Sequence, residues 1–369
     1  MEKIKVLYIL PSLSKVNGIS SYVMNYYRNL DRDKIKCDFL TLHNRENYYK
    51  SEIENNNDGV FEITLEDSKN IFEFIKKIKF FIKEHNYDII HCNVINLGVF
   101  ILYFAKKYNI KTRILHVHAT QTGENVFKKI RNDLILYFAK IFSNQYFACS
   151  NAAGIAMFKN KKFQVINNAI DEKEFLYNED YRKEIREELS IKDDEVLLGN
   201  IGRICEQKNQ KFLLKLLNDL NKKEKKYKLI MVGTGLLEEE IIAETKKMKL
   251  EKSIIFLGNR SDVYKIYSAI DILLLPSLYE GLPVVGIEAQ CNGVPCLFSN
   301  TITDEVKIND NVKFLTIDTN EEWIEFLEKS KYTRNIKNCF YNSDYDIKKQ
   351  TFKLEEIYKA LRDGEKNEY

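Results

Sequence analysis

DILLLPSLYEGLPVVGIEAQC, residues 271–291, carries a complete strand–loop–helix unit in one stretch. The run DILLLPS (271–277) is continuously apolar at its centre and too short for a helix, as expected of a strand covered on both faces. Gly281 and Pro283 interrupt the pattern, and an apolar helical segment follows over 283–292. Pro283 suits a first helical turn, where a missing N–H costs little.

The same alternation extends outward in both directions. VPCLFSN (294–300) follows, and SIIFLG (253–258), YKLIMVG (227–233) and EVLLGNIG (195–202) precede, with helices near 207–223, 236–250 and 261–270. In the first half KVLYIL (5–10), CDFLTL (37–42), VFEITL (60–65), YDIIHC (87–92), TRILHVH (112–118), QYFACS (145–150) and KFQVINN (162–168) read as strands. SSYVMNYYRNL (20–30), IFEFIKKIKFFIKEH (71–85) and NLGVFILYFAKKY (96–108) read as helices between them. Such βα units predict an α/β chain with parallel sheets. At 369 residues it exceeds what one core usually supports, so two doubly wound domains are expected. The boundary is predicted near the charged helix YRKEIREELSI, giving domains at 1–175 and 176–345. A terminal helix within 346–369 would bury Ile347, Phe352, Leu354, Ile357, Tyr358 and Leu361.

Hydrophobic residues at 44% and charged residues at 30% exclude a disordered or fibrous chain. No apolar run reaches the length of a membrane span, and MEKIKVLYILPSLS reads as a first strand, not a signal peptide. Cysteines at 37, 92, 149, 205, 291, 296 and 339 form no CxxC pair, which predicts reduced thiols, a cytoplasmic location and no zinc site. Residues 1–170 carry 25 Lys/Arg against 16 Asp/Glu, whereas residues 171–369 carry 32 against 38. A basic first half fits an anionic membrane surface or an anionic acceptor, and equally a lysine-rich genome whose charges drifted.

Open α/β sheets bind ligands beyond the carboxyl ends of their strands. After EVLLGNIG, Gly202 allows close backbone approach, and Arg203 and Lys208 bring cations to the start of the next helix. That combination suits a diphosphate without a metal. After DILLLPS, Glu280 stands in the loop, and the amides of Gly281 and Leu282 are expected to be unpaired at the helix start. Glu288 lies in an otherwise apolar helix and needs a partner, either a ligand's ribose diol or a structural Arg or Lys.

With Gly202-Arg203 and Lys208-Asn209, the E-x7-E pattern of Glu280 and Glu288 resembles the family-4 retaining glycosyltransferases of the GT-B fold. Asn17-Gly18-Ile19, His118, Asn168-Ala169-Ile170-Asp171, Gly233-Thr234-Gly235 and Gly293-Val294-Pro295 extend the resemblance over nearly the whole chain. It is most similar in flavour to bacterial capsular and exopolysaccharide enzymes. The resemblance implies two Rossmann-like doubly wound domains facing across a cleft, with the terminal helix returning to the N-terminal one. It further implies that Arg203 and Lys208 bind the donor diphosphate, Glu288 the ribose, and Glu280 with Gly281 and Leu282 the transferred sugar. Gly18 would approach the phosphate, His118 would sit beside the reacting sugar and acceptor, and Arg260, with Leu257-Gly258-Asn259, would border the base. The implied donor is a UDP-sugar carrying a hexose or N-acetylhexosamine. The implied acceptor is a saccharide linked to lipid, such as undecaprenyl diphosphate, reached by a peripheral enzyme on the inner membrane face. No cofactor, metal or nucleic-acid partner is expected. Asn17 and Ala169 depart from the family's glycines; Asn tolerates left-handed angles, and Ala169 would alter its loop.

Several motifs are set aside. The D-x-D triplets Asp31-Arg32-Asp33 and Asp344-Tyr345-Asp346 follow no strand, and the second can cap the terminal helix. Gly233-Thr234-Gly235 lacks a third glycine, which disfavours a dehydrogenase. His91 and His116 lie inside strands. The stretches 71–85 and 124–142 are basic and amphipathic; their apolar faces, including Val126, Phe127, Ile130, Leu134 and Phe138, are expected to pack on the sheet unless they meet an anionic membrane. A nucleotide-sugar epimerase of similar fold and a catalytically silent sugar-nucleotide binder are the alternative functions.

Overall fold

The computed structural model describes residues 2–14, 17–43, 47–123, 126–335 and 343–364. The chain divides into two compact units, Met1–Ala169 with Asp344–Tyr369, and Ile170–Ser343. The first begins with β1 (Ile4–Leu10), α1 (Gly18–Asn29), β2 (Ile35–Thr41), α2 (Lys50–Asn55), β3 (Val60–Glu62), α3 (Ile71–Glu84) and β4 (Ile89–Cys92). It continues through α4 (Gly98–Lys107), β5 (Thr112–Val117), α5 (Val126–Phe142), β6 (Gln145–Ala148), α6 (Asn151–Phe158) and β7 (Gln164–Val165). All its strand pairs are parallel, in the order β3-β2-β1-β4-β5-β6-β7.

The second unit opens with α7 (Glu172–Phe175) and α8 (Glu179–Glu188). It then runs β8 (Glu195–Ile201), α9 (Gln210–Leu220), β9 (Lys226–Val232), α10 (Glu238–Lys247), β10 (Ile254–Gly258) and α11 (Val263–Ala269). β11 (Ile272–Leu275), α12 (Val284–Cys291), β12 (Cys296–Ser299), β13 (Val312–Leu315) and α13 (Glu321–Lys329) complete it. Its sheet is also parallel, ordered β10-β9-β8-β11-β12-β13. Both orders are those of a Rossmann sheet, with the direction of winding reversing between β1 and β4 and between β8 and β11. The expected pair of doubly wound α/β sheets is what the chain forms.

Continuous apolar strands follow from helices on both faces. Val6, Leu7, Ile9 and Leu10 of β1, and all four residues of β11, are completely buried. The sequence pattern does not announce β13 and α13: β13 is a four-residue edge strand whose Lys313 is exposed, so it shows no apolar run.

The terminal helix α14 (Ile347–Asp363) belongs to the first unit and packs on α1 and β1. Asp346 caps it by accepting from the Lys348 amide at 2.9 Å, and Gly364 ends it in the left-handed region at φ +78°. Ile347, Leu354, Ile357 and Tyr358 are buried as expected, but Phe352 is 66% exposed, because it projects from the opposite face. Six cysteines are free thiols, and Cys339 lies outside the described residues.

Two departures from the family's glycines have simple local explanations. Asn17 is extended (φ −94°), and its Oδ1 accepts from the Ile19 and Ser20 amides, so it serves as a helix cap and not as a left-handed residue. Ala169 is not among the residues with positive φ, so its Cβ imposes no strain there.

The base of the second sheet is held by Asp271, just before β11. Its carboxylate accepts from Arg182 at 2.7 Å, from Arg186 at 3.3 Å and from the Leu197 amide at 2.7 Å. Arg186 is nearly buried, and its other amino group bridges the Lys192 and Glu195 carbonyls at 2.9 Å each. Removing the acid leaves two cations and a strand amide without their acceptor. Asp271→Ala should therefore cost about 3 kcal/mol, read as a lowered urea midpoint for the second unit. A loss below about 0.5 kcal/mol would mean that water replaces the carboxylate.

Candidate active site

The second unit's switch point lies where β8 and β11 end side by side. β8 leads into Gly202, whose φ of +147° is a conformation that side chains rarely adopt. A Cβ here would approach Lys208 Cε at 3.2 Å, so the missing side chain makes room for the lysine stem. Gly233 meets a harder limit beside it: its Cβ would lie 2.3 Å from the Gly202 carbonyl oxygen.

Residues 206–208 form a 3-10 turn, and the α-helix begins only at Gln210. The helix expected near 207–223 thus begins a few residues later, behind this turn. Asn209 is left-handed (φ 54°, ψ 44°), which separates the turn from α9, and its Nδ2 donates to the Pro276 carbonyl at 3.1 Å. Lys208 therefore sits on the turn ahead of α9 and not on the helix itself.

That turn is stitched to the loop after β11. The Leu278 amide donates to the Gln207 carbonyl at 2.8 Å, and Gln207 Nε2 donates to the Tyr279 carbonyl at 2.9 Å. Lys208 Nζ lies 2.6 Å from Glu280 Oε1, with both side chains largely buried, and Gln207 Nε2 reaches Glu280 Oε2 at 3.3 Å. Ser299 and Thr301 hydroxyls hold the Ser277 carbonyl from the other side, at 2.5 and 2.7 Å. Arg203 is exposed, and among the described residues no carboxylate pairs with its guanidinium.

Pro283 caps α12, whose first residue is Val284. Gly281 and Leu282 are each engaged within the chain. The loop is tied down along its length and not left open.

Glu288 does need a partner, and the structure gives it a neutral one. The Tyr267 hydroxyl donates to its Oε2 at 2.5 Å, and no described lysine or arginine pairs with it. Burial, offset partly by that hydrogen bond and reinforced by Glu174, pushes the carboxyl up to about 7. Arg260 is paired with two carboxylates by contrast. Its guanidinium grips Glu188 at 2.5 Å and Asp262 at 2.8 Å, which draw its basicity upward.

In the first unit, Gly18 opens α1 just past the β1 end, and a Cβ there would meet nothing within 4 Å. His118 follows β5. Its Nε2 lies 2.8 Å from Asn93 Oδ1 at the end of β4, and the Asn93 Nδ2 donates to the His91 carbonyl at 3.2 Å. This orientation of Asn93 makes His118 Nε2 the donor and leaves Nδ1 as an acceptor. Burial depresses the imidazole to about 3, so it is neutral at physiological pH.

Behind it, His116 stacks on His118 with ring centres 4.2 Å apart and bonds His91 at 2.9 Å. His91 in turn meets the Tyr358 hydroxyl of α14 at 2.5 Å, and Tyr358 meets Tyr8 at 2.7 Å. His91 is thus a satisfied strand residue, as expected, whereas His116 is bonded through Nδ1 alone and its buried Nε2 has no hydrogen-bond partner among the described residues. Sequence reading missed Asn93 and Tyr267. Asn93 immediately follows YDIIHC and was open to the same strand-end reasoning; nothing in sequence spacing signals Tyr267.

The described residues contain no group of three metal-ligating side chains. Residues 181–337 match the family model described as Glycosyl transferases group 1, and residues 16–174 match Glycosyltransferase Family 4. EpsF of Bacillus subtilis (strain 168), which bears a glycosyltransferase name, is 30% identical over 82% of this chain and 80% of its own length. The chain is a family-4 glycosyltransferase. The Escherichia coli UDP-Gal:alpha-D-GlcNAc-diphosphoundecaprenol alpha-1,3-galactosyltransferase is 23% identical over 80% of each chain. Among solved structures, Anabaena HepE in complex with UDP and glucose superposes with a TM-score of 0.80. It shares 19% identity and covers 97% of this chain and 100% of its own. The fold of this glycosyltransferase is therefore GT-B. None of these proteins is named as an epimerase, and that alternative is not carried further.

The raised Glu288 carboxyl has a measurable consequence. Its folded value lies above its ordinary 4.5, so the folded state binds the extra proton between about 4.5 and about 7. Stability contributed by the protonated form is full at the acidic end and is lost as pH rises through that window. Glu288→Gln should flatten this dependence in a thermal-unfolding series and leave the glycosyltransferase more stable than wild type above neutrality. Parallel pH curves for the two proteins would refute the assignment.

Proposed function

We propose that this glycosyltransferase moves a hexose or N-acetylhexosamine from a UDP-sugar to a lipid-linked saccharide, with retention of anomeric configuration, during cell-surface polysaccharide synthesis. The observation that carries the reading is the Lys208–Glu280 pair at the switch point of the second sheet. A lysine ammonium has three donors. One N–H holds Glu280, and another is available to a diphosphate without the pair being broken. Arg203 supplies the second cation, and the two offset charge that develops on the leaving nucleoside diphosphate. Glu280 and the loop through Gly281 and Leu282 receive the hydroxyls of the transferred sugar, and Glu288 the ribose diol.

In the first unit, Gly18 gives the backbone room to approach a phosphate, and neutral His118 offers Nδ1 as an acceptor to a sugar hydroxyl. Because His118 is neutral, it positions and does not carry charge. The uridine assignment draws support from the UDP bound to the Anabaena neighbour and from the UDP-Gal donor of the Escherichia coli relative. That relative's diphosphoundecaprenol acceptor supports a lipid-linked one here, and with it a working position at the inner membrane face. No described helix is long and apolar enough to cross a membrane.

Two measurements test this. In a panel of UDP- and GDP-sugars, one UDP-sugar should release UDP only when a diphosphoundecaprenol-linked saccharide is present, and the product should keep the donor's anomeric configuration. Release that ignores the acceptor, or an inverted product, would overturn the proposal. Arg203→Ala should lower turnover about 100-fold while leaving the melting temperature unchanged, since the exposed guanidinium has no described carboxylate to desert. Turnover within about threefold of wild type would remove Arg203 from the diphosphate site.

A further inference from the structure

Helix α5 is amphipathic in an unexpected sense: its solvent side is the apolar one. Asn132, Leu136 and Ala139 are its buried residues. Val126 is 70% exposed, Phe127 87%, Ile130 64% and Leu134 59%, and Tyr137, Phe138 and Ile141 are exposed as well. At 3.6 residues per turn these seven side chains fall within an arc of about 120°, facing away from the buried residues. The sequence-based expectation that this face packs on the sheet is therefore overturned. Scattered exposed apolar residues need no explanation, but seven on one stripe of one helix do.

The stripe is bordered by cations. Lys128, Lys129 and Arg131 are exposed beside its N-terminal half. Toward its C-terminal end, Lys140 donates to the Met157 carbonyl at 3.1 Å, and burial together with Lys159 and Lys161 lowers its basicity. Asp133, the helix's one acid, is engaged by the Thr122 hydroxyl at 2.6 Å. The aromatic surface continues onto α4, where Tyr103 is 39% exposed and packs on Phe142 at 5.2 Å.

We propose that the exposed face of α5 lies on an anionic lipid surface, with Val126, Phe127, Ile130 and Leu134 entering the acyl boundary and Lys128, Lys129 and Arg131 meeting the headgroup phosphates. An apolar protein partner would match the stripe but not its cationic border; an anionic bilayer matches both, apolar below and negative at the level of the headgroups. The proposal names the surface behind the enzyme's position at the membrane, and rests on the proposed function only for its biological setting.

The full-length protein is floated with vesicles of phosphatidylcholine, with and without phosphatidylglycerol, in the absence of donor and acceptor. Binding should require phosphatidylglycerol and weaken with salt. Phe127→Ser with Leu134→Ser should reduce it by about tenfold or more, and Lys128→Ser with Lys129→Ser by a comparable factor. Phe352→Ser, which removes an exposed phenylalanine from α14, should change nothing. Binding equal on both vesicles, absent from both, or insensitive to the α5 variants would overturn the proposal. A dimer in light scattering that Phe127→Ser with Leu134→Ser disperses, without vesicle binding, would assign the face to a second copy and overturn it too. With a detergent-solubilised acceptor the α5 variants should turn over like wild type. Absence of turnover in all of them would sink the functional reading and leave the vesicle result standing.

Discussion

The second unit's site depends on one constraint: β8 and β11 are neighbours in a parallel sheet, so the turn leaving one and the loop leaving the other must share one end. Glu280 lies 72 residues from Lys208, yet the pair meets at 2.6 Å. Both side chains are largely withdrawn from water, so removing either partner would leave a costly uncompensated charge. The pair is therefore accompanied by further ties, from the Leu278 amide to the Gln207 carbonyl and from the Asn209 side chain to the Pro276 carbonyl. Those ties fix the turn and the loop before any ligand arrives, so the cation is already oriented. Preorganisation of this kind is what electrostatic stabilisation of a leaving group needs.

The first unit uses the same sheet logic for a different purpose. Asn93 ends β4 and His118 follows β5, adjacent strands that bring an amide oxygen to an imidazole. Beneath them the line His116, His91, Tyr358 and Tyr8 extends to the terminal helix. Burial holds His91 at about 3 and His116 well below its ordinary range, so the line is neutral. A fully neutral line can be hydrogen-bonded without stranding a charge. It makes α14 part of the wall behind His118, although the helix lies far away in sequence.

The sheets were legible because strands covered on both faces must be apolar throughout, and runs such as IKVLYIL admit few other readings. Glu280 and Glu288 were legible because carboxylates stand out beside Gly281, Pro283 and Ile287. The turn at 206–209 was not. A left-handed Asn209 depends on what its amide reaches, the Pro276 carbonyl, and that contact is made by topology. Glu288's partner was unreadable for a similar reason, since Tyr267 belongs to α11, the preceding βα unit. α5 exposes a different limit. Periodicity separates an apolar face from a basic one, but it cannot say which of them turns toward the sheet.

Arg260 and Glu288 show how satisfied and unsatisfied groups separate structural from functional roles. Arg260 has two carboxylates in place, which take four of its five N–H groups. As a side chain it is largely accounted for by the fold. Burial pushes the Glu288 carboxyl up to about 7, and its one described donor, the Tyr267 hydroxyl, offsets that only partly. Two further donors, such as vicinal hydroxyls, would lower that value and stabilise the anion. Residues that a fold leaves short of partners are where a ligand has most to contribute. By that measure Glu288 is a group that a ligand would complete, whereas the side chain of Arg260 is already paired within the chain.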